Sequence, residues 1–200
     1  FSNSYRTLLN MENSLYGPYD VSNDKSVPLR KASDNQYTRE IRYGAMLNLS
    51  FRPSGGIHLF EWKNIFNQII KNRYSDRIGF NAQADNINDM EYYHSSRPTF
   101  NTQFTGSHTF DADRVDWSVG YAFAQRNLPD RRLIERTDRT EQTMGIYRIG
   151  REFTKLNEHT GSLSGNYRHE FDFSVIRPIL KTGIYGEYRT RAYRTRQFQY

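Results

Sequence analysis

The sequence predicts an all-β fold, an antiparallel up-and-down meander of about six long strands. Three observations carry that prediction. Several segments alternate strictly between two kinds of residue: Phe100, Thr102, Phe104, Gly106, His108 and Phe110 fall on one face, and Asn101, Gln103, Thr105, Ser107 and Thr109 on the other. Short polar stretches separate neighbouring alternating segments, as hairpin turns do. Finally, hydrophobic residues make up 36% of the 200 residues while aromatics alone make up 15%, with 15 Tyr and 13 Phe. Apolar surface is therefore scarce and concentrated in rings, unlike the Leu, Ile and Val of a soluble core.

Residues 1–37 carry Asn, Ser, Asp, Pro and Gly without periodicity and read as a loop, with Tyr5 to Leu15 open to a short helix. The first hairpin is expected over about 38–70. Its first arm sets Ile41, Tyr43, Ala45, Leu47, Leu49 and Phe51 against Arg42, Gly44, Met46, Asn48 and Ser50, and Pro53-Ser54-Gly55-Gly56 supplies the turn. The second arm is ambiguous. Leu59, Trp62, Phe66, Ile69 and Ile70 recur at helical spacing, but the position between two hairpins favours a strand.

Residues 71–97 are polar and read as a long loop. The second hairpin, about 98–127, turns at Asp111 to Arg114 and pairs the Phe100 segment with Val115, Trp117, Val119, Tyr121 and Phe123. Residues 128–155, dense in both charge signs, read as another long loop. The third hairpin, about 156–192, places His159, Leu163, Tyr167, His169 and Phe171, then Leu180, Thr182, Ile184 and Tyr188, on one face, with its turn near 174–177.

Short turns at one end and long loops at the other are the habit of outer-membrane barrels, whose strands alternate between lipid and lumen. Aromatics gather beside the short turns, at Phe51, Phe60, Trp62, Phe110, Trp117, Phe171 and Phe173, where a membrane-interface girdle would lie. No apolar run reaches the ~18–20 residues of a membrane helix, so any spanning is by strands. About six strands cannot close a barrel, which takes at least about eight. The sequence starts at Phe1, with neither an initiator Met nor a signal peptide, and it is expected to be a sector of something larger.

The net charge is +6. Basic and acidic residues are interleaved, however, without the continuous basic stripe that tracks a phosphate backbone, so nucleic acid is not expected as a partner. The one dense run, Arg189, Arg191, Arg194 and Arg196, reads as a solvated strand extension, inward or loop-facing. There is no cysteine, which removes disulfides and thiolate metal sites from consideration. The five histidines, at 58, 94, 108, 159 and 169, suggest no metal site. His159 and His169 share a face but stand roughly 33 Å apart at the rise of a strand. His108 and His169 read as interfacial side chains beside the short turns. No nucleophile elbow, P-loop or dinucleotide motif occurs, so neither an enzyme nor a cofactor is expected.

The stretches YTREIRYGAMLNLSFRP, HLFEWKNIFNQ, QFTGSHTF followed by VDWSVGYAFAQRNLPDRR, and GIYGEYRTRAYRTRQFQY resemble the barrel region of TonB-dependent outer-membrane receptors of the large Bacteroidetes type. The resemblance covers most of residues 37–200, and the VDW to PDRR segment is its most specific part. It implies a sector of an about 22-stranded transmembrane β-barrel in the bacterial outer membrane. A plug and the remaining strands would be its partners, TonB would act through that plug, and a scarce nutrient would be imported. The chain itself departs from that pattern in having no plug and no TonB box.

Binding residues are expected in the extracellular loops, where aromatic faces stack and guanidinium groups take anions. Tyr92, Tyr93, Arg131, Arg132, Tyr147 and Arg148 are the candidates. Glu61, Lys63, Arg168, Glu170, Lys181, Glu187 and Arg189 are expected to face the lumen and to pair with one another. The competing reading is a soluble aromatic-rich β-domain that binds carbohydrate or protein.

Overall fold

The computed structural model describes residues 1–12, 19–22, 25–81, 85–138, 145–173 and 176–200. Its strands are β1 (Ser2–Glu12), β2 (Tyr19–Ser22), β3 (Lys25–Pro28), β4 (Lys31–Phe51), β5 (His58–Phe80), β6 (Asn86–Phe110), β7 (Asp113–Thr137), β8 (Gly145–Glu170) and β9 (Ile179–Gln199). Seven of them form one antiparallel meander in the order β1-β4-β5-β6-β7-β8-β9, while β2 and β3 pair as a separate two-stranded ribbon. The sheet is open, with β1 and β9 at its edges.

The meander agrees with the sequence, but its extent does not. Strands β4 to β9 run for 21 to 26 residues, about twice the ~9–11 needed to cross a bilayer. The long loops expected at 71–97 and 128–155 are mostly strand, because β5 and β6 pair continuously from His58↔His108 to Phe80↔Asn86. Likewise β7 and β8 remain paired as far as Thr137↔Gly145. Inter-strand hydrogen bonding carries these polar stretches as strand although they lack an apolar face. The loop expected over 1–37 holds the seventh strand: β1 pairs with β4 from Ser2↔Arg42 to Glu12↔Ser33, so the option of a helix over Tyr5 to Leu15 falls away as far as Glu12, and 13–15 lie outside the described residues. At 59–71 the helical spacing is overridden, because β5 has a partner strand on each side.

Turns and irregularities have local causes. Gly55 and Gly56 take φ of 103° and 71° in the turn after β4, closed by the Gly56 N–H on the Pro53 carbonyl at 3.2 Å. Between β6 and β7 only Asp111 and Ala112 lie outside the strands, with Asp111 at φ 40°. Asn10, at φ 54°, forms the bulge in β1, and the Asn35 side chain accepts its N–H at 2.9 Å. Pro98 pairs with Gln68 of β5 but drops out of the ladder with β7, the side its missing N–H would have served. Pro129 lies in a second bulge, between Leu128 and Arg131 of β7.

A single sheet has no second layer to cover it. Ala32 and Leu128 are the only buried hydrophobic residues among those described, while Leu47, Leu49, Trp62, Val119, Leu163, Ile184 and Tyr188 are exposed. The apolar face is therefore left uncovered by the described residues.

Candidate functional site

Residues paired across an antiparallel ladder point to the same face, so the register sorts every side chain. One face carries continuous rows: Leu49↔Trp62↔Phe104↔Val119↔Leu163↔Gly186, and above it Ala45↔Phe66↔Phe100↔Phe123↔His159↔Thr190. On this aromatic face no Asp, Glu, Lys or Arg occurs from Ile41 to Phe51, His58 to Tyr74, Tyr92 to Phe110, Val115 to Asn127, Asn157 to Tyr167 or Leu180 to Ala192. That is a charge-free band of at least about 11 residues per strand, enough for a tilted strand to cross ~25 Å of hydrocarbon.

Rings border the band at both ends. At the short-turn end Phe60 stacks with Phe104 at 6.2 Å, Phe104 meets Trp117 edge-on at 5.4 Å, and His169 meets Phe171 at 4.4 Å. The Trp117 indole N–H donates to Nε2 of His108 at 2.9 Å, so the neutral His108 carries its proton on Nδ1 and donates it to Nδ1 of His58 at 2.8 Å. At the far end Tyr37 stacks on Tyr74 at 6.1 Å and Tyr74 meets Tyr92 at 4.9 Å. Tyr37, Tyr74 and Tyr92 form one row that continues through Arg132 and Arg151 to Phe198.

The opposite face carries ion pairs along its length, with Met46, Ile65 and Ile69 among them. Glu61, Lys63, Arg168, Glu170, Lys181, Glu187 and Arg189 all lie on it by register. Glu61 bonds Lys63 at 3.0 Å, Glu187 bonds Arg189 at 2.9 Å, and Arg168 pairs with Glu170. Lys181 stands across from Arg168 with no carboxylate contact among the described residues. Arg189 and Arg191 both reach Glu158, the latter at 2.5 Å.

The densest network lies on this polar face beyond the band, in the strand extensions. Glu91 accepts from Arg73 at 2.5 Å and from Arg131 at 2.6 Å, and Arg131 continues to Glu152 at 3.0 Å. Asp34 takes Arg77 with two bonds, at 2.7 and 2.8 Å. Glu135 pairs with Arg148. These groups surround a cavity of about 400 Å³ lined in part by Asp34, Arg77, Asp89, Glu91, Arg131 and Glu135.

The charges tune one another. The Asp34 bond holds the Arg77 pKa up against its burial. Burial works against the charge of Arg131, but its bonds to Glu91 and Glu152 outweigh that. Burial first, and then the neighbouring Glu135, raises the Asp89 carboxyl. On the other face, bonds from Arg151 and Arg132 hold Asp130 below the usual carboxylate range.

The six loop candidates do not converge. All lie in strands, and they divide between the faces. Tyr92 and Arg132 are on the aromatic face. Arg131 belongs to the Glu91 network, Arg148 to Glu135, and Tyr93 carries the Arg73 guanidinium 5.0 Å from its ring centre. Tyr147 is exposed at a bulge in β8. The Arg189–Arg196 run divides in the same way: Arg189 and Arg191 turn to Glu158, whereas Arg194 pairs with Lys155 and Arg196 with Phe153 on the aromatic face.

Two arrangements were missed in the sequence: the Asp34–Glu91–Glu152 network and the cations Arg39, Arg151, Lys155 and Arg194 beside the far ring row. Counting alternate residues outward from each short turn finds Arg39, Arg151, Lys155 and Arg194. Arg132 follows only once Pro129 is taken as a bulge. Comparison with protein-family models finds no match, and comparison with curated proteins finds none either.

Proposed function

We propose that the chain is a transmembrane sector of an outer-membrane β-barrel, and that the barrel is a TonB-dependent receptor importing a nutrient. One observation carries the membrane part: a single face that is charge-free for about 11 residues or more per strand and edged by ring rows at both ends, backed by a face of ion pairs. In lipid, alternation of this kind puts rings and aliphatic groups outward and charges toward an aqueous lumen. The two open edges, β1 and β9, would be satisfied by further strands, since unpaired backbone is not tolerated in hydrocarbon.

The receptor assignment rests on the sequence resemblance. On this reading Glu61, Lys63, Arg168, Glu170, Lys181, Glu187 and Arg189 line the lumen beside a plug. The Glu91 network, with its 400 Å³ cavity, lies where the wall rises past the membrane, a position suited to a polar nutrient entering from outside.

The experiment is reconstitution of the full-length protein, with any tryptophan outside these 200 residues replaced by Phe, into bilayers containing lipids with brominated acyl chains, reading Trp62 and Trp117, the two tryptophans of the sequence given. Both lie on the aromatic face, and quenching of their fluorescence is expected. A monodisperse, cooperatively melting monomer in detergent-free buffer, with no quenching, overturns the membrane reading in favour of a soluble aromatic-rich β-domain.

A further inference from the structure

The ring row Tyr37–Tyr74–Tyr92 is not flanked by neutral residues. On the aromatic face, between the charge-free band and that row or just beside it, stand Arg39, Arg132, Arg151, Lys155, Arg194 and Arg196. Among the described residues at this level of that face, Asp130 is the only carboxylate, and it is shared by Arg132 at 2.6 Å and Arg151 at 2.9 Å. The next carboxylate, Asp76, lies beyond Tyr74. Arg39 is held over the Tyr5 ring at 5.3 Å, and Lys155, Arg194 and Arg196 have no carboxylate partner among the described residues.

The same face carries no such belt at its other end. Beside the short turns its strands present Asp113, His58, His108 and His169, without Lys or Arg. A lipid-exposed cation is costly within hydrocarbon but favourable at a negatively charged headgroup layer, where long side chains hold their charge in the interface. Cations at one rim only call for a leaflet that is anionic on that side.

We propose that the belt formed by Arg39, Arg132, Lys155 and Arg194 docks the headgroup phosphates of an anionic membrane lipid against the outside of the sheet. The inference rests on the membrane reading above. Geometry suits the occupant. The belt runs from β4 to β9, five inter-strand steps or roughly 24 Å, the breadth of several headgroups. A cavity of about 740 Å³ opens on it, lined in part by Tyr5, Tyr37, Arg39, Tyr74, Tyr92 and Arg132. Guanidinium groups bond phosphate oxygens in pairs, and the tyrosines offer ring faces to acyl chains and hydroxyls to the headgroup layer.

The test titrates full-length protein in a neutral detergent with lipid A, with phosphatidylcholine and with inorganic phosphate. Tight binding of lipid A is expected, with much weaker binding of the other two. Each Arg or Lys removed should weaken lipid A binding about fivefold, so an Arg39→Gln, Lys155→Gln, Arg194→Gln triple variant should lose roughly a hundredfold. An Arg39→Lys, Arg194→Lys variant should keep most of the affinity, and Lys181→Gln, on the opposite face, should keep all of it.

Equal affinity of the triple variant and the parent overturns the proposal, as does inorganic phosphate binding as tightly as lipid A. Circular dichroism confirms that each variant is folded before it is scored. Quenching by brominated lipid separates the two readings: quenching with no loss in the triple variant rejects the belt and leaves the membrane sector standing. No quenching rejects both.

Discussion

The indole of Trp117 fills the space where Gly106 has no side chain. A Cβ built on Gly106 would stand 2.4 Å from Cε2 of Trp117, its direct cross-strand partner. Gly106 thus seats the ring that leads to the Trp117–His108–His58 chain. Gly106→Val forces the indole out of place and should cost about 1–3 kcal/mol. Urea unfolding of the refolded protein measures the loss, and a shifted tryptophan emission should accompany it.

Leu47 and Met46 are adjacent, both exposed, and on opposite faces. In water an arginine at either position would change stability by no more than about 0.5 kcal/mol. In a bilayer Leu47→Arg should cost ~2–4 kcal/mol and Met46→Arg very little. Refolding yield and stability in vesicles compare the two directly, and equal effects would argue against lipid on the Leu47 side.

Glu91 holds two arginines, with its own side chain 14% exposed. Because Arg73 and Arg131 remain partly exposed, the loss on Glu91→Gln should be moderate, about 1–2 kcal/mol. A double-mutant cycle with Arg131→Gln should show positive coupling, since the residues share one bond. Additive losses would mean that Glu152 alone keeps Arg131 in place.

Asp89 and Asp130 should respond to pH in opposite directions. The Asp89 carboxyl is raised in the folded state, so its charge works against folding above that raised value, and the penalty lifts as pH falls through it. Asp89→Asn should therefore stabilise at neutral pH and lose this advantage in acid. The Asp130 carboxyl is lowered; its contribution is present above the ordinary carboxylate range and is lost as pH falls through the lowered value. Asp130→Asn should cost about 0.5–1 kcal/mol at neutral pH and nothing in acid. Denaturation midpoints of both variants at neutral and acid pH check the signs.

Much of the charge-free band was legible in the sequence because alternation at period two is local. Phe100 to Phe110 and Val115 to Phe123 declare their faces without knowledge of a partner. The extensions were not legible. Residues 71–80 and 86–97 carry Asn, Asp, Ser and Arg on both sides of the chain, and only pairing with neighbouring strands identifies them as β-structure. The candidate site was half read for a related reason. Residue types such as Tyr92 and Arg131 mark polar chemistry, but whether two neighbours act together depends on the face each occupies, which the bulge at Pro129 alters.

That bulge sets a two-phase reading along β7. Before it, odd residues such as Phe123 point to the ring side; after it, even residues such as Arg132 and Ile134 do. The chain beyond Leu128 therefore tolerates gain or loss of residues in pairs and not singly. Losing Asp130 alone would carry Glu135 and Arg131 to the ring side and send Ile134 among the ion pairs. Insertions and deletions in this sheet are thus filtered by parity, and length variation among chains that share it should accumulate in steps of two, or at the turns, where phase has no meaning.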